Sequence, residues 1–272
     1  MSIWKYVRLG LGGGIQAIHA NRKMKKFLRN KEKYPLCYRE NYLRNFLKKL
    51  SVHPLRVTYY VTGQENLPKG QVIFYGNHTS NFDPLAFLAN SDRDVSFLAK
   101  KEIKKFYIIS TAMDFLEGSY LDREDLRSEI KVFHHIIDQL SAEKDLSYVV
   151  FPEGTRSMGP EFALGPFKPG AFQIATKLNA PIVPFALYLP ARVLDTHYHY
   201  HQYPVQLAYG KPIFPEEYQN RTTTEIANEV RSRVASLLEE MRKKDPTLVK
   251  QLNRYSDKKR DKVLLYSKAE KS

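Results

Sequence analysis

Apolar positions follow two spacings along this chain, one typical of β-strands and one typical of α-helices. Short apolar runs bounded by glycine or proline, such as 72–75 and 148–151, predict buried strands. Longer segments with an apolar residue every three or four positions, such as 126–140 and 222–241, predict amphipathic helices. Because strands alternate with helices, we expect an α/β fold with a largely parallel or mixed central sheet flanked by helices. Further predicted strands are 57–61, 94–99, 182–189 and 205–209, and further predicted helices are 171–178 and one that starts at 100–106.

The first 52 residues carry a different pattern, that of two basic amphipathic helices separated at Tyr34-Pro35. Apolar residues such as Ile3, Trp4 and Val7 recur near helical spacing, and the stretch 22–33 is strongly basic. We expect this two-helix segment to lie in a membrane surface, with apolar side chains among acyl chains and cations at lipid phosphates. The alternative is a hairpin that packs on the core and exposes a basic face to water. The basic residues of the second helix are Arg39, Arg44, Lys48 and Lys49.

Charge is distributed unevenly over the 272 residues. Residues 1–50 hold 13 Lys and Arg against 2 acids, and residues 241–272 hold 11 against 4, whereas residues 51–240 hold 19 against 23. The net charge of +14 therefore belongs to the two ends, which favours contact with an anionic surface, either a membrane leaflet or nucleic acid. We divide the chain into a membrane-associating segment (1–52), a central α/β domain (53–242) and a basic tail (243–272).

Composition also excludes several classes of protein. The single cysteine, Cys37, excludes an internal disulfide framework and any zinc site built on several cysteines. The uncharged window 9–21 is too short for a membrane span, which needs about 20 apolar residues, and no secretory signal is recognisable. A membrane-bound form would therefore be peripheral. His197, His199 and His201 would share one face of an extended segment, but no carboxylate or cysteine accompanies them, so we expect no metal.

A histidine and an aspartate flank the loop between a predicted strand and a predicted helix. His78 follows the strand 72–75, and Asp83-Pro84 has the form of a helix start. In a loop that closes onto the helix start, the two side chains can meet. An imidazole bonded to a carboxylate has a fixed tautomer and a raised basicity, which suits it to take a proton from a hydroxyl. The alternative is structural: Asp83 caps the helix and His78 bonds a backbone carbonyl.

A second polar loop follows the predicted strand 148–151. Ligands bind at the carboxyl ends of strands in α/β sheets. Gly154 allows close approach of the backbone to an anion, Thr155 offers a hydroxyl, and Arg156 offers a planar fork for phosphate oxygens. This combination predicts a phosphate site that needs no metal. The alternative is a plain turn in which Glu153 pairs with Arg156.

Four segments together resemble the motifs of the glycerolipid acyltransferases, and most of all the bacterial 1-acyl-sn-glycerol-3-phosphate acyltransferases. Asn77-His78-Thr79-Ser80-Asn81-Phe82-Asp83 resembles the first motif and Phe151-Pro152-Glu153-Gly154-Thr155-Arg156-Ser157 the third. Between them, 118–123 is similar to the second motif, and 180–184 is similar to the fourth. One departure is that the second motif has Tyr120-Leu121 where β-branched or phenyl-rich residues are more usual.

The resemblance implies an acyl transfer from a thioester to the 2-hydroxyl of a lysophosphatidate, giving phosphatidic acid. His78 would be the general base and Asp83 would hold its tautomer, with no serine nucleophile. The phosphate of the acceptor would be held by Glu153, Gly154, Thr155, Arg156, Arg123 and Lys100, and the acyl side of the cleft would be shaped by Pro181 and Pro184.

The implied partners follow from the same chemistry. We expect no cofactor, acyl-CoA or acyl carrier protein as co-substrate, anionic membrane lipids and lysophosphatidate as partners, and a peripheral position on the cytoplasmic face of the cell membrane. Two alternatives stay open, namely an acyltransferase that acts on glycerol-3-phosphate or another lysophospholipid, and a non-catalytic basic protein that binds membrane or nucleic acid. Nucleic acid is disfavoured, because the aromatic residues are not interleaved as stacking platforms.

Overall fold

The computed structural model describes residues 8–122, 125–156, 164–195, 198 and 200–253. Helices and strands alternate between residues 73 and 188, as the apolar spacing predicts. The strands are β1 (Val57–Thr62), β2 (Ile73–Gly76), β3 (Val95–Lys100), β4 (Ser119–Leu121), β5 (Ser147–Val150), β6 (Ile182–Tyr188) and β7 (Tyr203–Tyr209). The helices are α1 (Ile15–Leu28, preceded by a π-helical stretch Arg8–Gly14), α2 (Leu36–Val52), α3 (Asp83–Asn90), α4 (Tyr107–Phe115), α5 (Leu126–Ala142), α6 (Gln173–Leu178), α7 (Pro215–Tyr218) and α8 (Thr223–Asn253).

The seven described strands form one mixed sheet in the order β1-β7-β6-β2-β5-β3-β4. Strands β2 to β6 run in one direction, and β7 pairs antiparallel with β6, so that β7 and its parallel neighbour β1 run the other way. Because β2 lies between β5 and β6, the loops that follow β2 and β5 leave the sheet side by side. The predicted α/β fold with a mixed, largely parallel sheet is confirmed.

Each face of the sheet buries a separate layer of apolar side chains. In β2, Phe74 joins one layer, whereas Ile73 and Tyr75 join the other, because successive side chains of a strand point to opposite faces. The Phe74 layer includes residues of α1, α2 and α3, and the Tyr75 layer includes residues of α5, α6 and α8. The site-bearing loops are thus anchored on a strand that is buried on both faces.

The two N-terminal helices pack on the central α/β domain rather than standing apart from it. Met24 of α1 and Leu43 and Leu47 of α2 belong to the Phe74 layer. Arg39, counted above among the basic residues of the segment, is buried, and its guanidinium donates to the carbonyl of Phe115 at 2.7 Å. Part of this segment therefore packs as the hairpin alternative describes, and its contact with a membrane stays a prediction.

The region between β3 and α5 differs from the sequence prediction. The segment Lys101–Lys105 is a short 3₁₀ turn, and the helix expected at 100–106 begins only at Tyr107. Strand β4 was not predicted, because three residues at the edge of a sheet are too few to show a period.

The C-terminal helix extends beyond the boundary predicted at residue 243. Helix α8 runs to Asn253, and its last turns are bonded to the domain: Asp245 pairs with Arg192 at 2.8 Å, and the side chain of Asn253 accepts from the backbone N–H of His201 at 2.7 Å. Residues 243–253 therefore belong to the folded domain, and the rest of the predicted tail lies outside the described residues. None of the helices described is long and apolar enough to cross a membrane.

Candidate active site

The site begins with the contact between His78 and Asp83 in the loop that joins β2 to α3. Nδ1 of His78 lies 2.8 Å from Oδ2 of Asp83. The same oxygen accepts backbone N–H groups from Thr79 at 2.6 Å and Ser80 at 2.8 Å, so the carboxylate acts as an acceptor throughout. Nδ1 of His78 must then be the donor, which leaves the lone pair on Nε2 available for a proton.

The start of α3 explains why this contact forms. Asp83 is the first residue of the helix rather than the residue before it, and Pro84 follows with its ring suited to a first turn. The backbone N–H of Asp83 donates to the carbonyl of Ser80, which closes the loop. Because the Asp83 side chain is fully buried, it turns inward to the loop N–H groups and to His78 instead of capping its own helix.

The His78 ring is held from a second side by Phe151, the residue that follows β5. The ring centroids are 4.5 Å apart and the planes are 28° from parallel. The imidazole stays partly exposed, at 21 %, whereas Asp83 beneath it is inaccessible. A substrate hydroxyl can therefore approach Nε2 while Nδ1 keeps its carboxylate partner, Asp83.

Glu153 ties the loop of His78 to the loop that follows β5. Its buried carboxylate accepts the backbone N–H of His78 at 2.8 Å on one oxygen and the backbone N–H of Gly165 at 2.8 Å on the other. Both oxygens thus face backbone donors. The phosphate contact that the resemblance implies does not fit this position, because a buried carboxylate already satisfied by backbone N–H groups repels a second anion.

The turn that follows Glu153 presents the cationic side of the site. Gly154 has φ +70°, a left-handed conformation that side chains disfavour, and Thr155 and Arg156 are exposed beyond it. Three Cα–Cα steps separate Glu153 from Arg156, so these Cα atoms are within about 11 Å of each other. Arg156 therefore starts from a backbone position close to the His78 loop.

Lys168 adds a cation that the sequence interpretation did not include among the site residues. Its Nζ lies 3.1 Å from the place that a Cβ on Gly154 would occupy, and its backbone N–H donates to the carbonyl of Pro152 at 2.9 Å. Lys168 and Arg156 thus flank one turn. The only signal for Lys168 in the sequence is its place in Pro166-Phe167-Lys168-Pro169-Gly170, which carries no spacing that points to the turn.

Of the two remaining predicted cations, Lys100 lies in the described part of the chain and Arg123 does not. Lys100 is exposed at the carboxyl end of β3, the edge that also carries His78. Arg123 lies outside the described residues, as do two of the three clustered histidines, His197 and His199.

Neither proline of the fourth motif lies beside His78. Pro181 precedes β6, and its carbonyl accepts the backbone N–H of Ile73 at the start of β2. The start of β2 is the end of the strand opposite to the one that carries His78. Pro184 is buried within β6, opposite Tyr75, and strand alternation places it with Ile182 and Ala186 on the α8 side. Pro181 therefore lies at the opposite end of the strands from His78 and Pro184 lies within the sheet, and the role of either proline in an acyl cleft stays a prediction.

Asn77, quoted with the first motif but given no role, fixes the position of the loop. Its side chain donates to the carbonyl of Leu187 at 2.9 Å and accepts the backbone N–H of Leu187 at 2.8 Å. The end of β2 is thus tied to β6 on one side and, through Glu153, to β5 on the other. A rigid loop of this kind fixes the direction of the imidazole.

Comparison with known proteins gives a family model described as Acyltransferase that matches residues 58–188, the span from β1 to the end of β6. A solved structure, the 1-acyl-sn-glycerophosphate acyltransferase PlsC from Thermotoga maritima, superposes with a TM-score of 0.66 at 22 % identity and covers 88 % of this chain and 94 % of that one. At this identity the likeness supports the fold.

Curated relatives share the same region. The chloroplastic 1-acyl-sn-glycerol-3-phosphate acyltransferase BAT2 from Brassica napus is 33 % identical over 149 residues, which is 54 % of this chain and 42 % of that protein. The 1-acyl-sn-glycerol-3-phosphate acyltransferase of Saccharomyces cerevisiae is 29 % identical over 182 residues, covering 66 % of this chain and 60 % of the yeast protein. The match thus spans less than two thirds of either relative.

Proposed function

We propose that the chain, whose residues 58–188 match the family model described as Acyltransferase, transfers an acyl group from a thioester to the sn-2 hydroxyl of 1-acyl-sn-glycerol-3-phosphate. The observation that carries the proposal is the partly exposed imidazole of His78, bonded through Nδ1 to the buried Asp83 and placed beside a turn that bears Arg156. Relatives that share this region carry the corresponding name.

The chemistry requires one base and one correctly positioned hydroxyl. Nε2 of His78 takes the proton of the acceptor hydroxyl as its oxygen attacks the thioester carbonyl, and the C–S bond then breaks. The imidazolium that forms is stabilised by Asp83 and returns the proton to the leaving sulfur, so the products are an ester and a thiol. No residue of the protein is acylated in this sequence.

The turn 154–156, together with Lys168, binds the acceptor and takes no part in the chemical step. Arg156 and Lys168 hold the phosphate of the acceptor, and the backbone of Gly154 allows the anion to approach closely. Lys100, at the carboxyl end of β3, adds positive charge to the same edge. A phosphate held here fixes the glycerol hydroxyl relative to His78, and such positioning is a large part of the rate gain when two reactants are brought together.

The acceptor is a lipid, so the proposal includes a peripheral position at an anionic leaflet, on the cytoplasmic face of the membrane. The two-helix segment 1–52 carries 13 Lys and Arg against 2 acids, and cations near an anionic surface contribute about 1 kcal/mol each. Acyl-CoA or acyl carrier protein is the soluble donor in this arrangement.

The test is an assay of the purified full chain with lysophosphatidate in vesicles and each donor in turn, with the product lipid identified by mass. We expect phosphatidic acid, and we expect His78→Ala to lower kcat by about 10³-fold through loss of the base. His134→Ala removes an exposed histidine of α5 and serves as the control.

Two outcomes would contradict the proposal. A His78→Ala variant that keeps its fold and wild-type turnover would exclude the imidazole as base. A product formed from glycerol-3-phosphate or from a lysophospholipid with a larger headgroup, but not from lysophosphatidate, would exclude the acceptor.

A further inference from the structure

The first turn of α4 exposes an apolar surface that the candidate site does not use. Four successive apolar residues are exposed here: Phe106 at 62 %, Tyr107 at 61 %, Ile108 at 37 % and Ile109 at 44 %. Single exposed apolar residues are ordinary, but a contiguous group marks a place of contact. We call residues 100–109 the α4 tip.

The α4 tip projects from the domain instead of covering its core. Successive residues of a helix point about 100° apart, so Tyr107, Ile108 and Ile109 cover most of the circumference of the turn. The residues that α4 buries come later, at Thr111, Met113 and Phe115. The first turn therefore presents apolar groups to solvent in several directions, and its one polar residue, Ser110, is only partly exposed.

Positive charge surrounds the base of this turn. Lys100, Lys101, Lys104 and Lys105 are exposed, against one acid, Glu102, in the same stretch. Lys101 pairs with Asp122 at 2.7 Å, and Nζ of Lys104 lies 4.5 Å from the centroid of the Tyr120 ring. Apolar side chains at 106–109 with lysines around them fit a leaflet, in which acyl chains lie beneath anionic headgroups.

The α4 tip is continuous with α1. Nζ of Lys25 lies 4.0 Å from the centroid of the Tyr107 ring, and α1 packs beside α4. Two turns before Lys25, Ile18 is exposed, as is Ile15 one turn earlier. The apolar and basic side chains of the two helices therefore form one extended surface.

We propose that the α4 tip inserts into the headgroup region of an anionic lipid leaflet, as a second point of membrane contact beside the two-helix segment. A projecting turn favours a bilayer over a folded protein, because lipid closes around a protrusion, whereas a protein partner needs a matching cavity. Insertion turns the carboxyl ends of the strands, where His78 lies, toward the leaflet. The carboxyl ends of β3 and β2 are on the same side of the sheet, and the two strands are two positions apart, about 10 Å across the sheet.

The test compares vesicle binding by the full chain and by the variant Phe106→Ser/Ile109→Ser. Co-sedimentation uses phosphatidylcholine vesicles with and without phosphatidylglycerol. We expect the variant to lose about tenfold or more in affinity for the anionic vesicles, since two apolar side chains no longer leave water. The matched control is Phe214→Ser: Phe214 is 41 % exposed and follows Ile213, which pairs with Ile182 at the opposite edge of the sheet.

A second measurement reports insertion directly and does not depend on how the serine variant folds. In a Trp4→Phe background, which removes the single native tryptophan, Phe106→Trp places a fluorophore in the α4 tip and Phe214→Trp places one at the far edge. Lipids brominated near the headgroup should quench the first and leave the second unchanged.

Three results would overturn the proposal. They are unchanged vesicle affinity of a folded serine variant, equal quenching at positions 106 and 214, and binding of an acidic carrier protein to the α4 tip by a chain that does not bind vesicles. None of these measurements requires catalysis, so the proposal and the proposed acyl transfer can fail separately.

Discussion

The carboxylate of Glu153 accepts the backbone N–H of His78 at 2.8 Å, although the two residues are 75 positions apart. The other oxygen accepts the backbone N–H of Gly165, so a single buried side chain joins the loop of His78 to two positions of the segment that follows β5. The position of the imidazole therefore depends on a residue that does not touch its ring.

This relationship predicts the effect of Glu153→Gln. An amide offers one oxygen where the carboxylate offers two, so one buried N–H loses its acceptor, and we expect the free energy of unfolding to fall by about 1–3 kcal/mol. Because His78 loses its anchor, kcat should fall while KM for lysophosphatidate changes little. Chemical denaturation and steady-state kinetics measure both quantities, with the exposed Glu216→Gln as control. A rise in KM alone would instead indicate phosphate contact.

Asp83→Asn tests the negative charge that the buried carboxylate places beside Nδ1 of His78. The amide oxygen can take the position of Oδ2 and accept from Thr79, Ser80 and His78 as Oδ2 does now, but it carries no full charge and stabilises the imidazolium less. We expect kcat to fall on the order of 10²- to 10³-fold with nearly unchanged KM. If turnover survives, the imidazolium needs no charged partner and Asp83 only shapes the loop.

Lys168→Ala tests the cation beside Gly154. Loss of one exposed charge-assisted contact should raise KM for the phosphate-bearing acceptor roughly fivefold and leave kcat nearly unchanged. Lys168→Arg should restore most of the affinity, because the charge is retained. Lys177→Ala, an exposed lysine of α6, is the control. Equal loss in the arginine and alanine variants would point to packing against the turn rather than to charge.

Glu40 of α2 makes stability depend on pH. Burial raises the pKa of Glu40 to about 9, although its oxygens accept the backbone N–H of Val95 at 2.8 and 2.9 Å and Arg44 lies 3.6 Å away. The folded chain keeps this proton above the ordinary glutamate pKa of 4.5, at which the unfolded chain releases it. The stability that Glu40 contributes is therefore complete below pH 4.5 and is lost as pH rises toward 9.

The variant Glu40→Gln isolates this effect, since glutamine can accept from Val95 and cannot ionise. Denaturation curves at pH 5.5, 7 and 8.5 should show the native chain losing stability relative to the variant as pH rises, by at most about 1.4 kcal/mol per pH unit. A pH-independent difference between the two chains would mean that Glu40 is ionised in the fold throughout this range.

Some features of the fold could be predicted because their cause is local. The apolar runs before Gly76 and Pro152 predict strands, and the 126–140 period predicts a helix, since pleat and helical turn repeat within a few residues. The contact of His78 with Asp83 is also local, because the helix start at Pro84 limits where the intervening loop can go. The unpredicted β4 has too few residues to show a period, and the helix that begins at Tyr107 lies where four apolar residues, 106–109, run together.

The amino-acid sequence by itself determined the α/β class, the His78 and Asp83 pair and the turn at Gly154, because each depends on neighbours in the chain. Tertiary structure alone decided that Glu153 anchors His78, that Lys168 lies on Gly154, that Arg39 and Glu40 are buried and that Pro181 lies at the opposite edge. The physical reason is strand order: β2 lies between β5 and β6, and this pairing joins loops that local spacing cannot relate.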